Sequence, residues 1–161
     1  MEASSGVPFT VSIGGDPLGL NSQDPWDFPD RLSGPGCKNP VNPGNPDNYV
    51  KLECFAFPFP SVRRGNEGRN SLTGPGLINF DLSFAKNNYI KRISETCNVQ
   101  FRVEVFNIFN HPNFAPPLNN SVLYDGTVNP DGSGNIVGGA GLLDATITPS
   151  RQIQFGLKII W

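Results

Sequence analysis

Ile153-Gln-Phe-Gly-Leu-Lys-Ile-Ile-Trp161 closes the sequence, with Ile153, Phe155, Leu157, Ile159 and Trp161 alternating against Gln152, Gln154, Gly156 and Lys158. Successive side chains of a strand point to opposite faces, so this stretch carries one continuous apolar face and one small or polar face. The apolar stripe runs on to an aromatic residue, Trp161. Tryptophan sits well where hydrocarbon meets water.

Two further segments repeat the alternation. In Ile78-Asn-Phe-Asp-Leu-Ser-Phe-Ala85 the apolar set is Ile78, Phe80, Leu82 and Phe84, and in Val99-Gln-Phe-Arg-Val-Glu-Val105 it is Val99, Phe101, Val103 and Val105. A helical period fits neither, because a polar residue at every second position would circle the helix. A fourth candidate is Val7-Pro-Phe-Thr-Val-Ser-Ile13, in which Pro8 restricts the strand to a start or an edge. Alternating strands of about 9–11 residues, one of them ending on an interfacial aromatic, are the pattern of a transmembrane β-barrel wall. The expected fold is therefore all-β: an antiparallel meander of about four strands, over about 7–14, 77–92, 98–110 and 146–161, forming the C-terminal segment of such a barrel.

Composition agrees with long connections. The 161 residues include 18 glycines and 16 prolines, so much of the chain is turn and loop. A net charge of −2 and a pI near 5.3 leave no electrostatic footprint for nucleic acid and no polybasic membrane anchor. No run approaches the roughly 18–20 apolar residues of a spanning helix, and barrel strands escape such a scan because they alternate. The first six residues, Met1-Glu-Ala-Ser-Ser-Gly6, have neither a basic nor an apolar region of a secretory signal, so the chain reads as a fragment of an exported protein.

With Trp161 at the periplasmic interface, alternation of the strands places the turn around Ile93-Ser-Glu-Thr96 in the periplasm and the loops 15–75 and 111–144 outside the cell. Short periplasmic turns and long external loops are the asymmetry of these barrels. The first loop is punctuated by Gly34-Pro-Gly36 and Asn39-Pro-Val-Asn-Pro-Gly-Asn-Pro46, and the second by Tyr124-Asp-Gly and Asn129-Pro-Asp-Gly132, which predicts a small hairpin over Tyr124–Val137. Cys37 and Cys54 flank the proline-rich piece, and a disulfide between them is the expectation in an oxidising compartment, against two free thiols. Cys97 has no mate and reads as a small buried residue.

Gly68-Arg-Asn-Ser-Leu-Thr-Gly-Pro-Gly-Leu-Ile-Asn-Phe-Asp-Leu-Ser-Phe-Ala-Lys86, then Phe101-Arg-Val-Glu-Val-Phe-Asn-Ile-Phe-Asn-His-Pro-Asn-Phe114, then Ser150-Arg-Gln-Ile-Gln-Phe-Gly-Leu-Lys-Ile-Ile-Trp161 resemble the C-terminal end of TonB-dependent receptors of the Oar-like type, which often carry a carboxypeptidase-regulatory-like domain at the other end. The resemblance is strongest over about 63–161. It implies a 22-stranded outer-membrane barrel plugged by an N-terminal domain, an uptake pore for an unidentified substrate, and no enzyme. The implied partners are the rest of the barrel and its plug, outer-membrane lipid, the barrel-assembly machinery, and TonB only through an N-terminal part that this sequence lacks. By the same resemblance Phe155, Leu157, Ile159 and Trp161 form the barrel-assembly signal. The expected location is the cell outer membrane.

Asp81, Arg102, Glu104 and Lys158 share the polar, lumen-facing parity; a charge cluster against a plug or solute is one reading, and cross-strand pairs that solvate the wall is the preferred one. Gly156, on the same face, would relieve crowding where the wall bends. His111, in Asn110-His-Pro-Asn113, reads as a turn residue rather than a metal ligand. Asn129, Asp131 and Ser133 have a calcium-like spacing without the closing Glu and read as a hairpin tip. No catalytic, cofactor or metal residues are assigned. Trp26, Phe28, Tyr49, Phe55, Phe57 and Phe59 could stack on a saccharide or peptide, but packing of the loop on itself is the preferred reading. The alternative from another class is a secreted β-sandwich adhesion or carbohydrate-binding module, whose apolar stripes would face each other in a dry core.

Overall fold

Twelve strands and two single turns of 3-10 helix make up the regular structure of the residues described by the computed structural model: 1–17, 19, 27–58, 63–118 and 120–161. Among these residues there is no α-helix. The strands are β1 (Glu2–Ser4), β2 (Pro8–Phe9), β3 (Ser12–Ile13), β4 (Asp30–Arg31), β5 (Phe55–Ala56), β6 (Leu72–Thr73), β7 (Leu77–Asn79), β8 (Leu82–Tyr89), β9 (Asn98–Phe106), β10 (Val122–Val128), β11 (Gly134–Ile136) and β12 (Gln152–Ile160). The expectation of about four strands thus undercounts. Contacts divide the chain into two units, described separately.

The first unit comprises Met1–Ser4, Gly76–Asn113 and Thr146–Trp161. Three of its strands, β8, β9 and β12, form an antiparallel sheet with β9 in the centre. These carry the strongly alternating segments of the sequence, but the single strand expected over 77–92 is corrected: Phe80 and Asp81 interrupt it, so only Leu82–Ala85 of the segment Ile78–Ala85 lies in this sheet. The connection between β8 and β9 is a tight turn in which Ile93 and Cys97 donate backbone bonds to the carbonyls of Ile90 and Ser94, and Cys97 is buried and unbonded to another cysteine. Beyond a break at Phe80 and Asp81, β7 pairs antiparallel with β1, Glu2 opposite Asn79 and Ser4 opposite Leu77.

The second unit comprises Ser5–Pro75 and Phe114–Ala145, which the sequence reads mostly as loop. It has a core of its own. Phe9, Val11, Ile13, Tyr49, Val50, Cys54, Phe55, Leu72 and Leu123 are each 4% exposed or less. The expected spanning strand over 7–14 is therefore corrected to two short strands, β2 and β3, whose apolar residues pack into this core instead of facing outward. β2 pairs with β6, and β3 runs parallel to β10. The expected hairpin forms as β10 and β11, with a register shift between Tyr124 and Val128. Gly126 sits in that irregular stretch at φ +86°, and its Cα faces the Gly14 carbonyl too closely for any Cβ.

Polar groups of this unit find partners inside it. The Tyr49 hydroxyl donates to the Thr73 carbonyl at 2.8 Å and the Tyr124 hydroxyl to the Phe55 carbonyl at 3.2 Å, while burial pushes both phenols above their ordinary pKa. Arg63 forks onto both carboxylate oxygens of Asp30 at 2.9 and 3.0 Å and holds that carboxyl below its usual 3.8. Cys37 and Cys54 are joined in a disulfide.

Candidate functional site

Register across the three-stranded sheet puts the apolar residues in rows. Ile153, Val105 and Leu82 are aligned; so are Phe155, Val103 and Phe84; next come Leu157, Phe101 and Lys86, then Ile159, Val99 and Asn88. Aligned residues share a face. This face is open: Phe84 is 66% exposed, Phe155 68% and Leu157 66%. Phe101 and Phe155 stack across it, ring centres 6.3 Å apart, which is the diagonal pairing that ties neighbouring strands. Ile159 and Trp161 extend the stripe, and Trp161 is almost fully exposed.

The opposite face is polar. Its rows are Gln154, Glu104 and Ser83; Gly156, Arg102 and Ala85; Lys158, Gln100 and Asn87. Arg102 Nη1 lies 3.5 Å from Glu104 Oε1, and Gln100 Nε2 donates to Asn87 Oδ1 at 2.9 Å. Arg102, Glu104 and Lys158 line one shallow concavity of about 340 Å³, together with Gln100, Gln154 and Gly156. Asp81 is not part of that group. It accepts the Asn107 backbone N–H at 2.9 Å and the Asn79 amide at 3.2 Å at the far end of the sheet. Exposed pairs of this kind are worth under about 1 kcal/mol each. The expected crowding at Gly156 is absent among the described residues: a Cβ there would meet nothing nearer than Arg102 Cβ at 3.8 Å.

Sequence reasoning missed the asparagine clasp just past β9. Asn107 and Asn110 take left-handed backbone angles, φ +48° and +51°, which asparagine tolerates better than other residues with a side chain. Asn107 Nδ2 donates to the carbonyls of His111 and Pro149, and its Oδ1 accepts the His111 N–H. Asn113, fully buried, accepts the Ile78 N–H at 2.9 Å through Oδ1 and donates to Thr148 Oγ1 at 2.9 Å through Nδ2. Asn110 Oδ1 accepts the Arg151 N–H at 2.9 Å. Three side chains from one turn thereby hold the ends of β7 and β12 beside the end of β9. The signal was the spacing of Asn107, Asn110 and Asn113 beyond a strand, but which backbone groups they meet is not written locally.

Asn113→Ala is expected to destabilise the first unit by about 2 kcal/mol, because it leaves the Ile78 N–H without its acceptor in a dry site. Urea midpoints of folded wild-type and variant protein measure it; Asn113→Asp, which keeps the acceptor, should lose less. Equal stability of wild type and Asn113→Ala would remove the clasp from the argument.

The remaining sequence candidates have local structural roles. His111 Nδ1 lies 3.2 Å from Asn113 Oδ1 inside the clasp. Asp131 accepts both the N–H and the hydroxyl of Ser133, and Asn129 Nδ2 donates to Ser133 Oγ, which ties off the hairpin tip. Among the described residues no three His, Cys, Asp or Glu side chains gather as a metal would require. Tyr49 and Phe55 are core residues, Phe57 packs edge-on against Tyr124 at 5.5 Å, and Phe28 lines a surface cleft. Trp26 and Phe59 lie outside the described residues.

A family model described as an outer membrane beta barrel domain matches residues 1–154. No curated protein and no solved structure matches the chain.

Proposed function

The chain belongs to the outer membrane beta barrel domain family and is an outer-membrane protein, and on that premise we propose that it forms part of the wall of an uptake pore of the TonB-dependent, Oar-like type, a transporter and not an enzyme. The observation that carries this reading is the exposed apolar face of β8, β9 and β12. Rows of Ile, Leu, Val and Phe left open on one side, with Gln, Glu, Arg and Lys on the other, suit a wall between lipid and a wet lumen. A β-sandwich would need the same rows buried against a second sheet. Phe155 and Leu157, each about two-thirds exposed, lack such a layer among the described residues.

In this reading outer-membrane lipid covers the apolar rows, the edges of the sheet pair with the rest of the barrel, and a plug meets the polar face. The Phe155, Leu157, Ile159 and Trp161 stripe is the part that the barrel-assembly machinery would recognise. Trp161→Ser should lower the heat-modifiable barrel in outer-membrane fractions several-fold, with Ser at the exposed loop residue Lys38 as the control. Undiminished barrel in the Trp161 variant counts against this role. For transport itself, deleting the protein should abolish an energised uptake activity that collapse of the proton-motive force also abolishes.

A further inference from the structure

Phe106 breaks the parity of its strand. It stands in register with Gln152 on the polar face, 37% exposed, where the other residues of β9 are Asn98, Gln100, Arg102 and Glu104. Around its ring the structure gathers Asn79, Asp81, Thr148, Pro149 and Gln152 into a cleft of about 270 Å³, just under the roughly 300 Å³ at which drug-sized pockets begin. It holds one ring, not a chain.

The polar groups of the cleft offer both donors and acceptors. Among the described residues Asn79 Oδ1 is buried without a hydrogen-bond partner, a state that an incoming hydroxyl would relieve. Thr148 Oγ1 already accepts from Asn113, so its own O–H is left to donate, and the Gln152 carboxamide can do either. Asp81 keeps lone pairs beyond those met by Asn107 and Asn79. Among the described residues no cationic side chain lines the cleft, which disfavours a phosphate or carboxylate. The single carboxylate is already neutralised in part by two N–H donors, which disfavours a bare cation.

A flat apolar ring edged by a carboxylate, two carboxamides and a hydroxyl suits a molecule with C–H groups on one face and hydroxyls round its rim. We propose that this cleft binds one pyranose ring of a neutral saccharide, stacked on Phe106 with its hydroxyls on Asn79, Asp81, Thr148 and Gln152. The inference rests on the pore reading, in which this face looks into the lumen and the cleft lies at the end of the wall away from Trp161. It adds the class of solute to that reading.

The test uses the protein purified from outer membranes in detergent, with methyl glucoside, methyl galactoside and methyl mannoside as probes and alanyl-alanine as the peptide comparison, read by saturation-transfer NMR. At least one glycoside should receive saturation on its ring protons. Phe106→Ala should weaken that binding about tenfold, the loss of one aromatic stacking contact, and Phe106→Trp should restore it. Asp81→Asn, which can still accept the Asn107 N–H, should weaken it without loss of the heat-modifiable barrel. A heat-modifiable barrel that binds none of the glycosides, binds the dipeptide in preference, or binds a glycoside equally well after Phe106→Ala overturns the saccharide cleft and leaves the pore reading standing. A protein with no heat-modifiable barrel form overturns both.

Discussion

Arg in place of Phe155 is expected to destabilise the membrane-inserted protein by about 2–4 kcal/mol, the penalty for a cation on the lipid face near mid-depth. Phe155 lies in the second of four apolar rows, aligned with Val103 and Phe84, so its side chain has the same surroundings as the centre of the stripe. The neighbouring Gln154 supplies the control. It shares a row with Glu104 and Ser83 on the other face, and Gln154→Arg should change stability by under about 0.5 kcal/mol, as polar surface substitutions do. Urea-dependent folding into lipid vesicles measures both. A one-residue step that changes the outcome this much is peculiar to a two-faced sheet; similar effects at both positions would mean that lipid does not meet the apolar rows.

Removing the Cys37–Cys54 bond is expected to loosen the second unit by about 3 kcal/mol, the chain-entropy contribution of a crosslink over a sequence separation of 17. Cys54 is fully buried beside Tyr49, Val50 and Phe55, so the bond anchors the proline-rich segment to the core. At equilibrium, that loss raises the open, cleavable population about a hundredfold. Limited proteolysis of the Cys37→Ser/Cys54→Ser variant should cut within 5–75 while strands β8, β9 and β12 stay intact. An unchanged cleavage rate in the variant, or cleavage spread evenly over both units, contradicts the assignment of a separate stapled core.

The three long strands were legible because their information is local. A period of two over Ile153–Trp161 and Val99–Val105 decides both strand and face; over Ile78–Ala85 it gives the face of β8 but not the break at Phe80 and Asp81, and the open exposure of Phe84, Phe155 and Leu157 agrees with the sequence reading. The same period misled over 7–14. Alternation says that one side of a strand is apolar, not what that side meets, and Phe9, Val11 and Ile13 meet Tyr49, Phe55, Leu72 and Leu123. Those partners come from segments scattered over more than 100 residues, each too short to show a period. The asparagine clasp was hidden for a related reason: Asn107 and Asn113 act on Pro149, Thr148 and Ile78, and nothing near residue 110 names those partners. Gly156 was given a crowding role that its open surroundings do not support.

Lys86 and Asn88 interrupt the apolar face of β8, although the residues aligned with them, Phe101 with Leu157 and Val99 with Ile159, continue it on β9 and β12. At the opposite end Phe80, in the break between β7 and β8, packs against Phe109 at 5.2 Å. Between β8 and β9 the belt steps by four residues, about 13 Å along the strands, while from β9 to β12 it runs level. A hydrocarbon slab has parallel surfaces, so in the pore reading strands that lean within the bilayer, as the roughly 35–45° slant of spanning strands does, bring Lys86 and Asn88 nearer to its boundary than the residues level with them. In that reading the ammonium of Lys86 lies towards the headgroups, within the reach of its four-carbon stem.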